Sequence, residues 1–123
     1  MLGSTFELPL VLGGVPSPID LVKINQDGYS SEYLYRTETA EYRLKIRHTA
    51  TKETPTKPAY ERHNIECVVT VFATPEVAQY YQKFYAVLEQ KPGYAFLTMP
   101  EAVCNALTAD SNALLTAMTG WES

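Results

Sequence analysis

Residues 41–49 constrain the chain more than any other stretch. Tyr42, Leu44, Ile46 and His48 alternate there with Glu41, Arg43, Lys45 and Arg47. At 3.6 residues per turn a helix would scatter these side chains around its circumference. A strand sorts them into one apolar face and one charged face. Arg43, Lys45 and Arg47 then stand in a row about 6.6 Å apart, on a sheet with one face covered and the other open.

The same period of two flanks this segment. Residues 5–12 alternate, with Phe6, Leu8, Leu10 and Leu12 on one side, and Pro9 marks an edge or a bulge. Gly13-Gly14 reads as a hairpin turn and residues 19–24 as the returning strand. Asn25-Gln26-Asp27-Gly28 is a turn, followed by a Tyr-rich strand over 29–36. Residues 50–59, rich in Thr, Lys and Pro, are a loop. Residues 61–72 form the next strand, antiparallel to 41–49, with His63, Ile65, Cys67, Val69 and Val71 on one face. Arg62, Asn64, Glu66, Val68 and Thr70 take the other.

Residues 74–91 fit two patterns. Thr74-Pro75-Glu76 is a helix start, and Val77, Tyr80, Tyr81, Phe84 and Leu88 fit a helical stripe, but alternation works equally well. Beyond Pro92-Gly93 the spacing predicts two short helices. Thr98 and Glu101 form a capping box, Asp110 starts the second helix, Ala113, Leu114, Ala117 and Met118 make its stripe, and Gly120 is its C′ stop. Six or so strands followed by two helices is an α+β fold: an antiparallel sheet with an N-terminal hairpin and the helices on one face. The 123 residues make one domain, with the hairpin in 1–24, the sheet in 29–90 and the helices in 98–120. Helices of about 13–15 Å cover little of a sheet about 24–29 Å wide, so a partner's helices, or a curled sheet, complete the cover.

The net charge is −4, yet residues 36–63 hold seven bases against four acids, leaving that segment at +3 and the remainder at −7. This asymmetry is compatible with a polyanionic partner. Cys67 and Cys104, 37 residues apart, lack any zinc or redox spacing and read as buried packing thiols. The first residues carry no basic leader and no apolar run approaches membrane-spanning length, so a soluble, cytoplasmic product is expected. GxSxG, P-loop, GxGxxG and HExxH are all missing, and no catalytic residue, metal site or cofactor is expected. His48 and His63 fall on the apolar faces at opposite ends of one loop. Hydrogen-bonded structural histidines beneath the helices are favoured over a metal pair or pH switch, and two histidines without a carboxylate on the same face hold a metal poorly. Glu41 and Glu66 read as partners for adjacent bases. Arg43, Lys45 and Arg47, with Arg62 and Asn64 beside them, suit phosphates and base edges; Tyr81, Lys83 and Tyr85 join them if 80–88 is a strand. A solvated outer face explains the same row of bases.

Several segments in series carry a resemblance. The strand Tyr42-Arg43-Leu44-Lys45-Ile46-Arg47-His48-Thr49, the Arg62-His63 opening, the tail Leu107-Thr108-Ala109-Asp110-Ser111-Asn112-Ala113-Leu114-Leu115 and the end Gly120-Trp121-Glu122-Ser123 resemble the coat proteins of small single-stranded RNA bacteriophages, the leviviruses. The resemblance implies an interlocked homodimer with one continuous sheet, each subunit's helices crossing its partner, and assembly into an icosahedral shell in the host bacterial cytoplasm. It implies RNA contact, genomic or as an operator hairpin that represses replicase translation, through Arg43, Lys45, Arg47, Arg62, Asn64, Glu66, Tyr81, Lys83 and Tyr85. It also implies a strand over 80–88, and a loop over 74–78 lining the shell's symmetry axes. That loop is short here, and Glu66 stands where the family pattern has a base. No membrane partner and no enzymatic activity are implied. A cellular dimeric RNA-binding regulator that never assembles is the alternative reading.

Overall fold

The computed structural model describes residues 3–94 and 96–122. The chain divides into two compact units, Met1–Pro92 and Gly93–Ser123. The first is built on an antiparallel six-stranded sheet of β1 (Thr5–Leu8), β4 (Ile19–Gln26), β5 (Ser30–Arg36), β6 (Ala40–Ala50), β7 (Glu61–Val71) and β8 (Tyr80–Gln90), adjacent in that order. Between β1 and β4 lies a two-residue hairpin, β2 (Val11–Leu12) with β3 (Val15–Pro16).

The N-terminal strand is shorter than its alternation suggests. Pro9 has no N–H to give a ladder, and the chain leaves the sheet after Leu8. Val11, Leu12 and Val15 are consequently exposed on the small hairpin, whose turn uses Gly13 and Gly14 at φ 57° and 81°. Residues 74–91, ambiguous in the sequence, resolve as a short turn followed by strand. All eleven residues of β8 pair with β7, from Tyr80 opposite Val71 to Gln90 opposite Glu61. The Thr74 hydroxyl accepts from the Val77 N–H, closing a turn where a helix start was an option.

The register gives one core. Leu21, Tyr33 and Leu44, from three adjacent strands, are fully buried, with Phe6, Leu8, Ile19, Tyr35, Tyr42, Ile46 and Cys67 packed against them. The Tyr33 hydroxyl, which would cost free energy if buried unpaired, donates to the Gly3 carbonyl at 2.9 Å. Burial also pushes the half-buried Cys67 thiol up from its ordinary pKa. Cys104 is exposed, a correction to the expectation that both thiols pack inside.

The second unit holds one helical element, α1 (Thr98–Thr119), where two helices are expected from the sequence. Ala109, Asp110, Ser111 and Asn112 inside it leave helical geometry, the last three with φ of 53°, 55° and 66°. Asp and Asn tolerate this left-handed region better than most residues. The outer caps differ from those expected at Thr98 and Gly120. The N-cap is Leu97, with no side-chain capping bond, and the Glu101 N–H donates to the Leu97 carbonyl. Gly120 sits at φ −86°, and the left-handed residue after the helix is Trp121 at φ 64°. No described residue of α1 is buried.

Candidate nucleic-acid interface

The ladder that buries Leu44 fixes the opposite face. Going across β6, β7 and β8, Arg43, Val68 and Lys83 are in register, as are Lys45, Glu66 and Tyr85, and Arg47, Asn64 and Val87. Arg62 lies between Thr49 and Glu89, and Tyr81 is opposite Thr70. All nine residues singled out in the sequence therefore share the face turned away from Leu44. Tyr81 and Tyr85 lie there with 67% and 61% of their surface exposed, and Lys83 Nζ stands 5.9 Å from the centre of the Tyr81 ring.

The electrostatics differ from an open cationic strip. Arg43 is clamped between Glu32, bonded closely through its Nη1, and Glu41 at 2.8 Å from its Nη2. Hydrogen bonds from the guanidinium to Glu32 and then Glu41 push its pKa still higher. Arg47 Nη2 donates to Glu66 at 3.2 Å and to Asn64 at 3.3 Å, while Lys83 Nζ lies 3.5 Å from the other Glu66 oxygen. Arg36 approaches Glu41 at 3.6 Å and the Phe72 ring at 5.5 Å. Across the six strands this face carries six bases (Arg36, Arg43, Lys45, Arg47, Arg62, Lys83) and six acids (Glu7, Asp20, Glu32, Glu41, Glu66, Glu89). Its formal charge is zero. Glu32, which the sequence reading omits, is the largest influence on Arg43, and only the pairing of β5 with β6 reveals it.

Other cations have no such partners. Among the described residues, the side chains of Lys45, Lys52, Lys57 and Arg62 take part in no ion pair or hydrogen bond. Three of them, Lys52, Lys57 and Arg62, line a cavity of about 680 Å³ at the end of the β6–β7 ladder, together with Tyr60, Thr49 and Glu89.

On the apolar face His48 and His63 stand opposite one another. The His48 N–H donates to the Tyr29 carbonyl, away from β7, so the two histidines form a non-hydrogen-bonded pair, the arrangement that brings side chains closest. Their Nδ1 atoms are 2.8 Å apart, one ring edge to the other's face. Glu61, two residues before His63, shares that face, with its Oε1 3.6 Å from His63 Nε2. The assertion that this face lacks a carboxylate is thus corrected. Gln90 donates to Glu61 at 2.9 Å and, with a smaller contribution from His63, holds its carboxyl below the usual value. Among the described residues, no three His, Cys, Asp or Glu side chains cluster as a metal would require.

Comparison with solved structures gives the fold an independent measure. A bacteriophage EMS014 coat protein matches with a TM-score of 0.61 at 18% identity, over 89% of this chain and 72% of that one. A virus-like particle of bacteriophage ESE058 matches at 0.65 and 12%, over 96% and 97%. An unassembled bacteriophage coat protein dimer, described as an RNA-binding dimer, matches at 0.56 and 14%, over 95% and 94%. Identities this low show the shared fold. Comparison with curated proteins finds no match. The family described as "Phage phiCb5, coat protein" matches residues 5–91, the hairpin and every strand of the sheet. The chain belongs to this phage coat protein family, and its role is that of a structural capsid protein rather than an enzyme.

Proposed function

We propose that the chain dimerises along β8, closes as dimers into an icosahedral shell, and contacts single-stranded RNA with the charged sheet face turned inward. The observation that carries this is the open edge of β8. Eleven residues of strand present an outer row of N–H and C=O groups with no neighbouring strand among the described residues, flanked by exposed Tyr80, Tyr81, Phe84 and Tyr85. A long, exposed, aromatic edge is a template for another chain, and a second copy of β8 satisfies it by continuing the sheet. Met99, Val103, Leu114 and Met118 of α1 are exposed too, and in an interlocked dimer they would cover the partner's apolar sheet face. The break at residues 109–112 would let α1 act as the two helical arms expected for that embrace.

The RNA contacts follow from the resemblance and the shared face. Tyr81 and Tyr85 offer stacking surfaces, Lys45 an uncommitted charge, and Arg43, Arg47, Arg62, Asn64 and Lys83 further phosphate or base donors. Glu66 competes with phosphate for two of these cations. An operator hairpin would use the same face, which is how such a protein represses translation of a replicase message. The protein would reside in the virion after assembly in the bacterial cytoplasm. Expression of this chain alone in bacteria, followed by negative-stain microscopy and nuclease-protected RNA extraction, tests the proposal. Isometric particles containing RNA are expected; a stable monomer free of nucleic acid overturns it. Dimers that bind a hairpin but never close favour a regulator.

A further inference from the structure

We propose that the cavity formed by the 51–60 loop and the adjoining ends of β6, β7 and β8 is a single-nucleotide subsite, seating an unpaired RNA base against Tyr60 with its flanking phosphates on Lys52, Lys57 and Arg62. This rests on the RNA-binding reading and locates the strongest phosphate contact away from the centre of the sheet. Three observations converge. Of the central cations, Arg43, Arg47 and Lys83 are engaged by carboxylates and Lys45 alone is uncommitted, so a phosphate bridging more than one of them must displace Glu32, Glu41 or Glu66. At the loop the cations have no carboxylate within ion-pair distance among the described residues; Glu89, directly opposite Arg62, makes no ion pair with it. The concavity of about 680 Å³ falls within the roughly 300–1,000 Å³ of small-molecule sites, ample for one nucleotide.

The loop is also built to hold its shape. The Thr51 N–H donates to the Tyr60 carbonyl at 2.8 Å, and the Tyr60 N–H to the Thr51 hydroxyl at 3.0 Å. At the tip the Thr54 N–H donates to the Lys57 carbonyl at 2.8 Å, and the Lys57 N–H reaches the Thr54 hydroxyl at 3.0 Å. Two cross-loop ties in ten residues keep Lys52, Lys57 and Tyr60 at one rim, so little conformational entropy remains to be lost on binding. Tyr60 is 40% exposed, leaving ring surface for a base. Stacking requires an unpaired base, so single strands are favoured over duplex. Arg62 and Thr49 belong to the charged sheet face, so a strand of RNA crossing that face enters the cavity without changing sides.

The test is the salt dependence of binding of a fluorescent single-stranded ten-nucleotide RNA to the purified protein and to the variants K52Q/K57Q, Y60A and R43M. Glutamine keeps the lysine stems and the exposed loop intact. Each phosphate contact contributes a slope of about −0.7 in log K against log salt for single strands, so K52Q/K57Q is expected to reduce the slope by about 1.4, and R43M by less. Y60A is expected to weaken binding about tenfold with the slope preserved. Wild-type binding with an unchanged slope in K52Q/K57Q and unchanged affinity in Y60A overturns the subsite and leaves RNA binding by the sheet standing. A wild-type protein without salt-dependent RNA binding overturns both. Equal affinity for a duplex of the same length overturns the stacked base.

Discussion

The two halves of the sheet follow one rule of alternation and arrive at opposite environments. Leu21, Tyr33 and Leu44 on β4, β5 and β6 retain 2% or less of their surface, whereas Phe84 and Tyr85 on β8 retain 55% and 61%. Alternation decides which face a side chain joins; burial depends on how many neighbouring strands and covering groups reach it. Leu44 has partners on both sides in the ladder and packed hydrophobics around it. Phe84 has β7 on one side and an open edge on the other. The inner half stabilises the chain, and the outer half is the edge proposed for association.

Substitutions can break that contrast. Leu44→Ala removes a fully buried side chain and should cost about 2–5 kcal/mol in denaturant unfolding. Phe84→Ala should cost less than about 1 kcal/mol under conditions where the chain does not associate, while sharply reducing self-association in sedimentation velocity. Equal costs would show that β8 belongs to the core. Next in size is Arg43→Met, which strands Glu32 and Glu41 beside each other on the charged face. Because the guanidinium is about a third exposed, solvent screening holds the expected loss to about 1 kcal/mol, measured as a shift in denaturant midpoint. A smaller, pH-dependent effect belongs to Asp27. Its carboxylate accepts the Tyr29 N–H at 2.7 Å and the Ser30 N–H at 2.8 Å, closing the turn between β4 and β5 and lowering its pKa from the ordinary 3.8. With the folded pKa below the unfolded one, this support is complete above the unfolded value and is lost as pH falls through the folded one. Asp27→Asn should flatten that acid limb of the stability curve, and an unaltered limb would exclude the turn as its source. The smallest effect is expected for Thr98→Ala. Its hydroxyl makes no capping bond, so stability should stay within about 0.5 kcal/mol of the parent.

How much of this was legible in the sequence depends on what each feature needed. Strand 41–49 and its neighbour were readable because one face is apolar and the other charged. β8 was not, since aromatics occupy both its faces and exposure at an edge removes the contrast that reveals period two. The caps were misread because Thr98 and Gly120 satisfy a spacing rule, whereas the chain enters the helix through Leu97 and leaves it through Trp121. The site was half legible. Parity put Arg43, Lys45 and Arg47 on one face, and suggested Glu41 and Glu66 as neighbours. It could not reveal Glu32 on Arg43, because that contact depends on the offset between β5 and β6. The carboxylate beside His63 was readable from parity alone, as Glu61 lies two residues away on the same strand.

The even balance of acids and bases on the charged face has a consequence for cargo. Should that wall enclose a genome, its cations are largely answered before any nucleic acid arrives. The length of polymer it accepts would then be governed by interior volume and a few gripping points, rather than by a fixed ratio of phosphates to lysines and arginines. Packaged lengths could differ among particles of identical architecture.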